Sequence, residues 1–518
     1  MMGPDPANAA ARRYRDKEVF VTGHDGTTPH EVFLLCLVAP VGLRLYRGVR
    51  PHVVARLLGG GHPVVVDVIV EFLTLILPML VVQTSLLPPI VGPCLLLAGM
   101  TILASSMPPP PPPSSSDGTG GCDEPDRRRR PASLSVHRAC VYVLTTIAIL
   151  AVDFPLFPRR FCKTERDGYG WMDLGAASFV VIAGWTSAIG GASDATSSVV
   201  GPDRPAIAPL GLSSATTRRK FVRKCAPLLL LGIVRLATNK GLEYQEHVSE
   251  YGVHWNFFFT LCCVEGFVVV WRDIKREWSL VDPASTAKYL PDLAMAMLLI
   301  VPYQMFLSSG GQEFIENSDR RCGDSHGSFS PCDAFVANRE GILGVVGYTS
   351  LRLLSEAVAR ACLLPVFGVG SERSDDRGQR RRLYVMSLGL WMAHILLTCG
   401  LGVPNSRRST NAPFVLWSLA HNMSLLCLIE ATATRMHATA KNGNAERNAS
   451  NPRILEAVNR FGLAVFLSSN ILTGLVNLTV DTLHSSDGKA VFIMSSYLAL
   501  VCGFALVLDT LFNREKVD

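Results

Sequence analysis

The chain has 518 residues, 48% of them hydrophobic and only 18% charged, with a mean hydropathy of +0.28. Soluble domains carry about 25% charged residues, so a soluble enzyme on a single membrane anchor is excluded. The net charge of +6 arrives in short bursts between apolar runs, not as a basic stripe interleaved with aromatics, and nucleic-acid binding is not suggested. Polar residues run from Met1 to about His30 with no short apolar core and cleavage site behind them, so no cleavable signal peptide is expected.

A spanning helix needs about 20 mostly apolar residues. Such runs lie near 31–46, 64–83, 86–106, 137–155, 171–190, 225–243, 252–271, 289–307, 341–364, 383–401, 412–432, 461–481 and 489–512. The predicted class is all-α, a polytopic membrane protein with about thirteen transmembrane helices in residues 31–512. No internal repeat is visible, which weighs against an inverted-repeat transporter. Three connections read as insertions. Residues 107–131 hold a proline run, serines and Arg127–Arg130, the composition of a disordered linker. Residues 191–217 are rich in Ser, Gly and Ala, and residues 308–337 form a polar loop holding Cys322 and Cys332.

Loops following odd-numbered spans carry about 30 Lys and Arg residues against about 13 on the other side. The C-terminus is therefore expected in the cytosol, and residues 1–30 and 308–337 on the lumenal side. Most of the 14 cysteines lie in apolar runs as small hydrophobes. Cys322 and Cys332 instead flank a Gly/Ser segment in an oxidising compartment, so a disulfide between them is expected, with two unpaired thiols as the alternative.

Ionisable groups near or within spanning helices are functional candidates by default. The densest run is AILAVDFPLFPRRFCKTE at 148–165, where Asp153 closes the fourth span and Arg159, Arg160 and Lys163 follow two prolines. A carboxylate at a helix exit beside a lysine suits a proton acceptor; an interfacial ion pair anchoring the helix end is the competing account. In EYQEHVSEYGVHWNFFFT at 243–260, Glu246, His247 and Glu250 precede His254, Trp255 and Asn256 at the start of an apolar helix. His254 suits a base near neutral pH, or a structural interfacial histidine. Asn338, Arg339 and Glu340 open the ninth span. Asn470, Asn477, Asp481 and His484 are spaced to share one helical face, which either lines a cavity or bonds a neighbouring helix. All four clusters fall at the non-cytosolic face, as the mouth of one membrane-embedded site. No Walker loop, dinucleotide fingerprint or metal-ligand spacing is present, so no metal is expected.

At these residues the chain resembles the inositol acyltransferases of glycosylphosphatidylinositol (GPI) anchor biosynthesis, the PIG-W family. The matching stretches are GTT at 26–28, the run at 148–165, YQEHVSEYGVHWNFFFT at 244–260, NREGI at 338–342 and the segment from LSSN at 467–470 to VDTLHSS at 480–486. Within them Cys162 departs from the small residue, such as Ala, of other members. The resemblance implies an endoplasmic reticulum protein that transfers a palmitoyl-like group from acyl-CoA to the inositol 2-hydroxyl of glucosaminyl-phosphatidylinositol, with acyl-CoA as co-substrate and no other cofactor. It implies Asp153 and Lys163 as the catalytic pair. On that reading Asp153 is the base and Lys163 stabilises the oxyanion or orients the carboxylate, with His254 the competing base. Arg159, Arg160 and Arg339 are candidates for the lipid phosphate. A lipid transporter or flippase and a non-catalytic scaffold subunit are the alternatives.

Overall fold

The structure, a computed structural model, describes residues 16, 19–20, 22–58, 64–107, 132–197, 215–241, 248–277, 288–322, 330–366, 376–439 and 452–514. Every regular element among them is a helix, and ten helices are long and apolar enough to cross a membrane. Each of the thirteen predicted runs carries a helix. The three outside that ten are Val91–Ser106, with 16 residues, and Ala215–Gly241 and Phe257–Glu277, which carry clustered charges. Residues 108–131 and 198–214, the larger parts of two expected insertions, and most of segment 1–30 lie outside the described residues.

The chain divides into two compact units. One comprises Gly26–Cys162, Gly170–Gly175 and Met423–Asp518. There the Thr28 side chain accepts the Glu31 N–H and starts the Pro29–Cys36 helix, with Pro29 supplying the preset φ of a first helical turn. Arg50 and Asp67 pair at 2.9 Å between the next two helices. Beyond them the buried Glu71 carboxylate accepts the N–H groups of Ile454 (2.8 Å) and Leu455 (2.9 Å). It thereby caps Arg453–Arg460, a helix that the apolar runs do not predict. That helix buries Ile454, Leu455, Ala457 and Val458 along one face, too few for a span.

The other unit comprises Met1–Asp25, Lys163–Tyr169 and Ala176–Asn422. Its Arg339–Val366 helix is an interior element, with 78% of its apolar window buried. Arg380–Gly400 is 17% buried, and its exposed Val385, Leu388, Met392 and Leu396 present the surface expected toward lipid. The segment 308–337 departs from the polar loop expected of it. The helix from Leu290 continues through a π-turn at Leu307–Gly311 to Glu316, and Pro331–Ala337 is a helix of its own. Ser330 and Asp333 form a reciprocal capping box that the two-turn helix needs, and Cys322 and Cys332 are joined in a disulfide with Cα atoms 5.9 Å apart. Residues 323–329 between them lie outside the described residues.

Candidate functional site

The Ala132–Ala151 helix is apolar over its last turn, and with Pro155 and Pro158 just beyond it the chain turns through residues 152–158. Arg159 holds that turn. Its guanidinium donates to the carbonyls of Val152 (3.0 Å), Phe154 (2.9 Å) and Phe157 (2.9 Å). Burial lowers its pKa, yet a guanidinium stays cationic, and the charge sits where a helix end presents carbonyls. Arg160 pairs with Glu31 through both Nε (3.0 Å) and Nη2 (2.8 Å) and lies over the Phe161 ring. Thr27 donates to the same Glu31 carboxylate, so the GTT segment anchors the far end of the 148–165 motif. Ser85 adds a third tie, donating its N–H (2.8 Å) and hydroxyl (3.0 Å) to Leu156.

On this braced turn Asp153 is half-buried, and the Asn477 amide donates to its Oδ2 at 2.8 Å. Thr482 donates in turn to Asn477 Oδ1 at 3.4 Å. The sequence placed Asn470, Asn477, Asp481 and His484 on one helical face, and the structure corrects this. The helix ends at Thr479, leaving Asp481 and His484 in the following turn, where they are exposed and 3.1 Å apart. Asn470 bonds back to the Phe466 carbonyl of its own helix at 2.7 Å. Asn477 is joined to Asp153 by a hydrogen bond.

Lys163 belongs to the other unit. Its segment is held by the polar run at 405–411: Gly168 donates to the Asn405 carbonyl (2.8 Å) and Ser406 to the Arg166 carbonyl (2.8 Å). Lys163 Nζ forms an ion pair with Glu250, on the short helix Val248–Tyr251. Burial, first, and the nearby Tyr348 and Glu250 push the Tyr251 phenol well above its usual range, so it stays protonated beside that pair. Glu246 and His247 lie outside the described residues.

The chain next turns at Gly252, whose φ of +108° suits glycine, and whose Cβ would stand 2.5 Å from Asn338 Cα. This close approach lets the His254 N–H donate to Asn338 Oδ1 (2.7 Å) and the Val253 N–H to the Ala337 carbonyl (2.9 Å). Asn256 accepts the Phe258 N–H (3.0 Å) as a helix cap and donates to the Gly232 carbonyl (2.9 Å). Asn338 thus holds the backbone at His254, and Asn256 caps the helix that follows.

Arg339 was expected to meet a lipid phosphate. It is instead buried, donating to the carbonyls of Ile315 (3.2 Å), Asp319 (2.7 Å) and Asn317, with Phe314 beneath it. Glu340 beside it is held by Arg320 (2.6 Å) and Arg408 (2.9 Å). Arg159 and Arg160 are likewise engaged within the chain, Arg160 with 34% of its side-chain surface open. Among the described residues no group of three or more His, Cys, Asp or Glu is placed to hold a metal ion.

A family model described as GWT1 matches residues 13–508. The chain belongs to the GWT1 family. It is similar to "GPI-anchored wall transfer protein 1" of Aspergillus oryzae, with 36% identity over 405 residues, 75% of this chain and 74% of that protein. The protein of the same name from Aspergillus fumigatus is 33% identical over 519 residues, covering 95% of this chain and 96% of the relative. An Arabidopsis thaliana protein without an assigned role is 31% identical over 71% of each chain.

Sequence reasoning missed Glu31, the pairing of Glu250 with Lys163, and the run Asn405–Asn411. The last carried a signal: seven consecutive polar residues between two apolar spans, all of them buried.

Proposed function

We propose that this chain is an O-acyltransferase of GPI-anchor biosynthesis in the endoplasmic reticulum membrane. It moves a palmitoyl-like acyl group from acyl-CoA to the inositol 2-hydroxyl of glucosaminyl-phosphatidylinositol. The observation that carries the reading is Asp153, a carboxylate set at the exit of an apolar helix by Asn477 and braced from below by Arg159. It stands in a chain whose relatives are named for GPI-anchored proteins. In this mechanism Asp153 takes the proton of the inositol hydroxyl as its oxygen attacks the thioester carbonyl. The resemblance at 148–165 implies Lys163 as the group that stabilises the oxyanion. The C–S bond then breaks, and the thiolate leaves as CoA after taking up the proton.

Purified protein given acyl-CoA and a glucosaminyl-phosphatidylinositol analogue should yield an inositol-acylated product, which a flippase or scaffold does not make. Asp153→Asn keeps the hydrogen bond to Asn477 within reach but cannot accept a proton. Its turnover should fall by about 10²- to 10⁴-fold with insertion unchanged. Near-normal turnover in that variant, with His254→Ala inactive, transfers the base to the histidine. No acylated product from the intact protein overturns the reading.

A further inference from the structure

Inside the unit that holds Lys163, four helices bring together charges that the mechanism does not use. Glu356 receives Arg272 (2.9 Å), Arg352 (2.9 Å) and Arg360 (2.7 Å). Glu265 receives Lys224 (2.6 Å) and Arg352 (3.1 Å), while Asp292 receives Lys275 and Arg360 (3.3 Å) and the Trp271 indole N–H (2.9 Å). Among the described residues five cations therefore share three carboxylates. The arrangement is lopsided in exposure as well. Asp292 and Glu356 are sealed, whereas Lys224, Arg272 and Arg360 keep 38%, 32% and 22% of their side-chain surface open. A cationic rim stands on an anionic core.

A network that only pinned helices together would match its charges, because surplus charge among spanning helices is costly. Among the described residues the surplus is two charges, and its open rim can meet an external anion. Its position narrows the choice. Arg352 lies thirteen residues along the helix from Arg339, about 20 Å at 1.5 Å per residue, and Arg272 is similarly far along its helix from Asn256. The cluster therefore sits at the opposite end of these helices from Asn338, Arg339 and His254. The acyl donor of the proposed reaction has a phosphate-bearing head joined to its thioester by a long, thin arm.

We infer that this cluster binds the phosphates of the acyl-CoA head, leaving the arm to carry the thioester along the helices. The inference rests on the acyltransferase reading. It assigns Lys224 and Arg360 as phosphate ligands, since each can be withdrawn without stranding a carboxylate: Arg352 keeps Glu265, and Arg272 and Lys275 keep Glu356 and Asp292.

The test is titration of free CoA, which carries no acyl group, into full-length protein in nonionic detergent. Wild type should bind saturably, and Lys224→Gln/Arg360→Gln should weaken binding roughly tenfold or more. The charge-matched pair Arg219→Gln/Arg276→Gln, outside the cluster, should match wild type. As a measurement independent of variant folding, CoA should slow amine acetylation of Lys224 in wild-type protein. Unchanged CoA affinity in the folded double variant, or Lys224 protection by phosphatidylserine vesicles but not by CoA, overturns the inference; the latter assigns the site to a lipid headgroup. Acylated product formed without measurable CoA binding overturns this inference alone, and CoA binding without product overturns the acyltransferase reading alone.

Discussion

Within its own unit Lys163 meets the Glu250 carboxylate, 87 positions away in sequence. Lys163 keeps 37% of its side-chain surface open, so the pair is worth about 1 kcal/mol at most. Its value is positional: it fixes the ammonium of a long, four-carbon side chain in one direction. Glu250→Gln should therefore lower kcat by roughly fivefold at most, far less than Asp153→Asn, and Glu250→Asp should recover part of the loss. Steady-state kinetics on both variants decides the matter. A Glu250→Gln enzyme with wild-type kcat shows that Lys163 is positioned by other contacts. The same residue-level logic applies to three arginines of the recognised motifs. Each already satisfies carbonyls or a carboxylate that burial would otherwise leave unpaired.

At the scale of elements, helices were legible because each apolar run is itself the cause of the helix. The exceptions are instructive. Arg453–Arg460 was invisible because its four buried apolar residues make one face of a two-turn helix, and its stability depends on a cap from Glu71, more than 380 positions distant. The helix holding Asn477 ended earlier than its spacing suggested, so periodicity alone overextended a face into a turn. The cationic cluster was equally hidden, since its ion pairs join helices up to 87 positions apart. Motif residues such as Asn338 and Gly252 were legible as special, but not that they hold one another. The Cys322–Cys332 element yields a prediction of its own. Backbone N–H groups of Cys322 (2.9 Å) and Ser330 (2.8 Å), then the Ser330 hydroxyl, hold the Asp333 carboxyl below its usual range. A depressed carboxylate contributes stability that is complete above the unfolded value of about 3.9 and is lost as pH falls through the lower native value. Reduction of the disulfide by a phosphine should therefore accelerate as the pH drops below about 4. Asp333→Asn should be reduced quickly at every pH, and a variant that keeps the acid dependence would place its cause elsewhere.

For the molecule as a whole, what matters is which face of the membrane each helix end meets, because the donor and acceptor lipids approach accordingly. The Lys and Arg balance predicts a lumenal N-terminus and a cytosolic C-terminus. On that orientation the Cys322–Cys332 disulfide lies in an oxidising compartment, where such bonds persist. If the orientation holds, the cationic cluster faces the cytosol, where acyl-CoA is supplied, and the Asn338–His254 end faces the lumen. Glycosylation acceptors report the side directly, because Asn-X-Ser/Thr is modified only in the lumen. The chain carries Asn448-Ala449-Ser450 in a connection expected in the cytosol, and this site should remain unmodified. His326→Asn creates an acceptor with Gly327 and Ser328 in the connection expected in the lumen. That variant, expressed in microsomes, should gain one glycan removable by endoglycosidase, and wild type should show none from position 448. A glycan at Asn448 with none on the His326→Asn variant reverses the orientation. It would also turn the cationic cluster toward the lumen, where a cytosolic donor could not reach it.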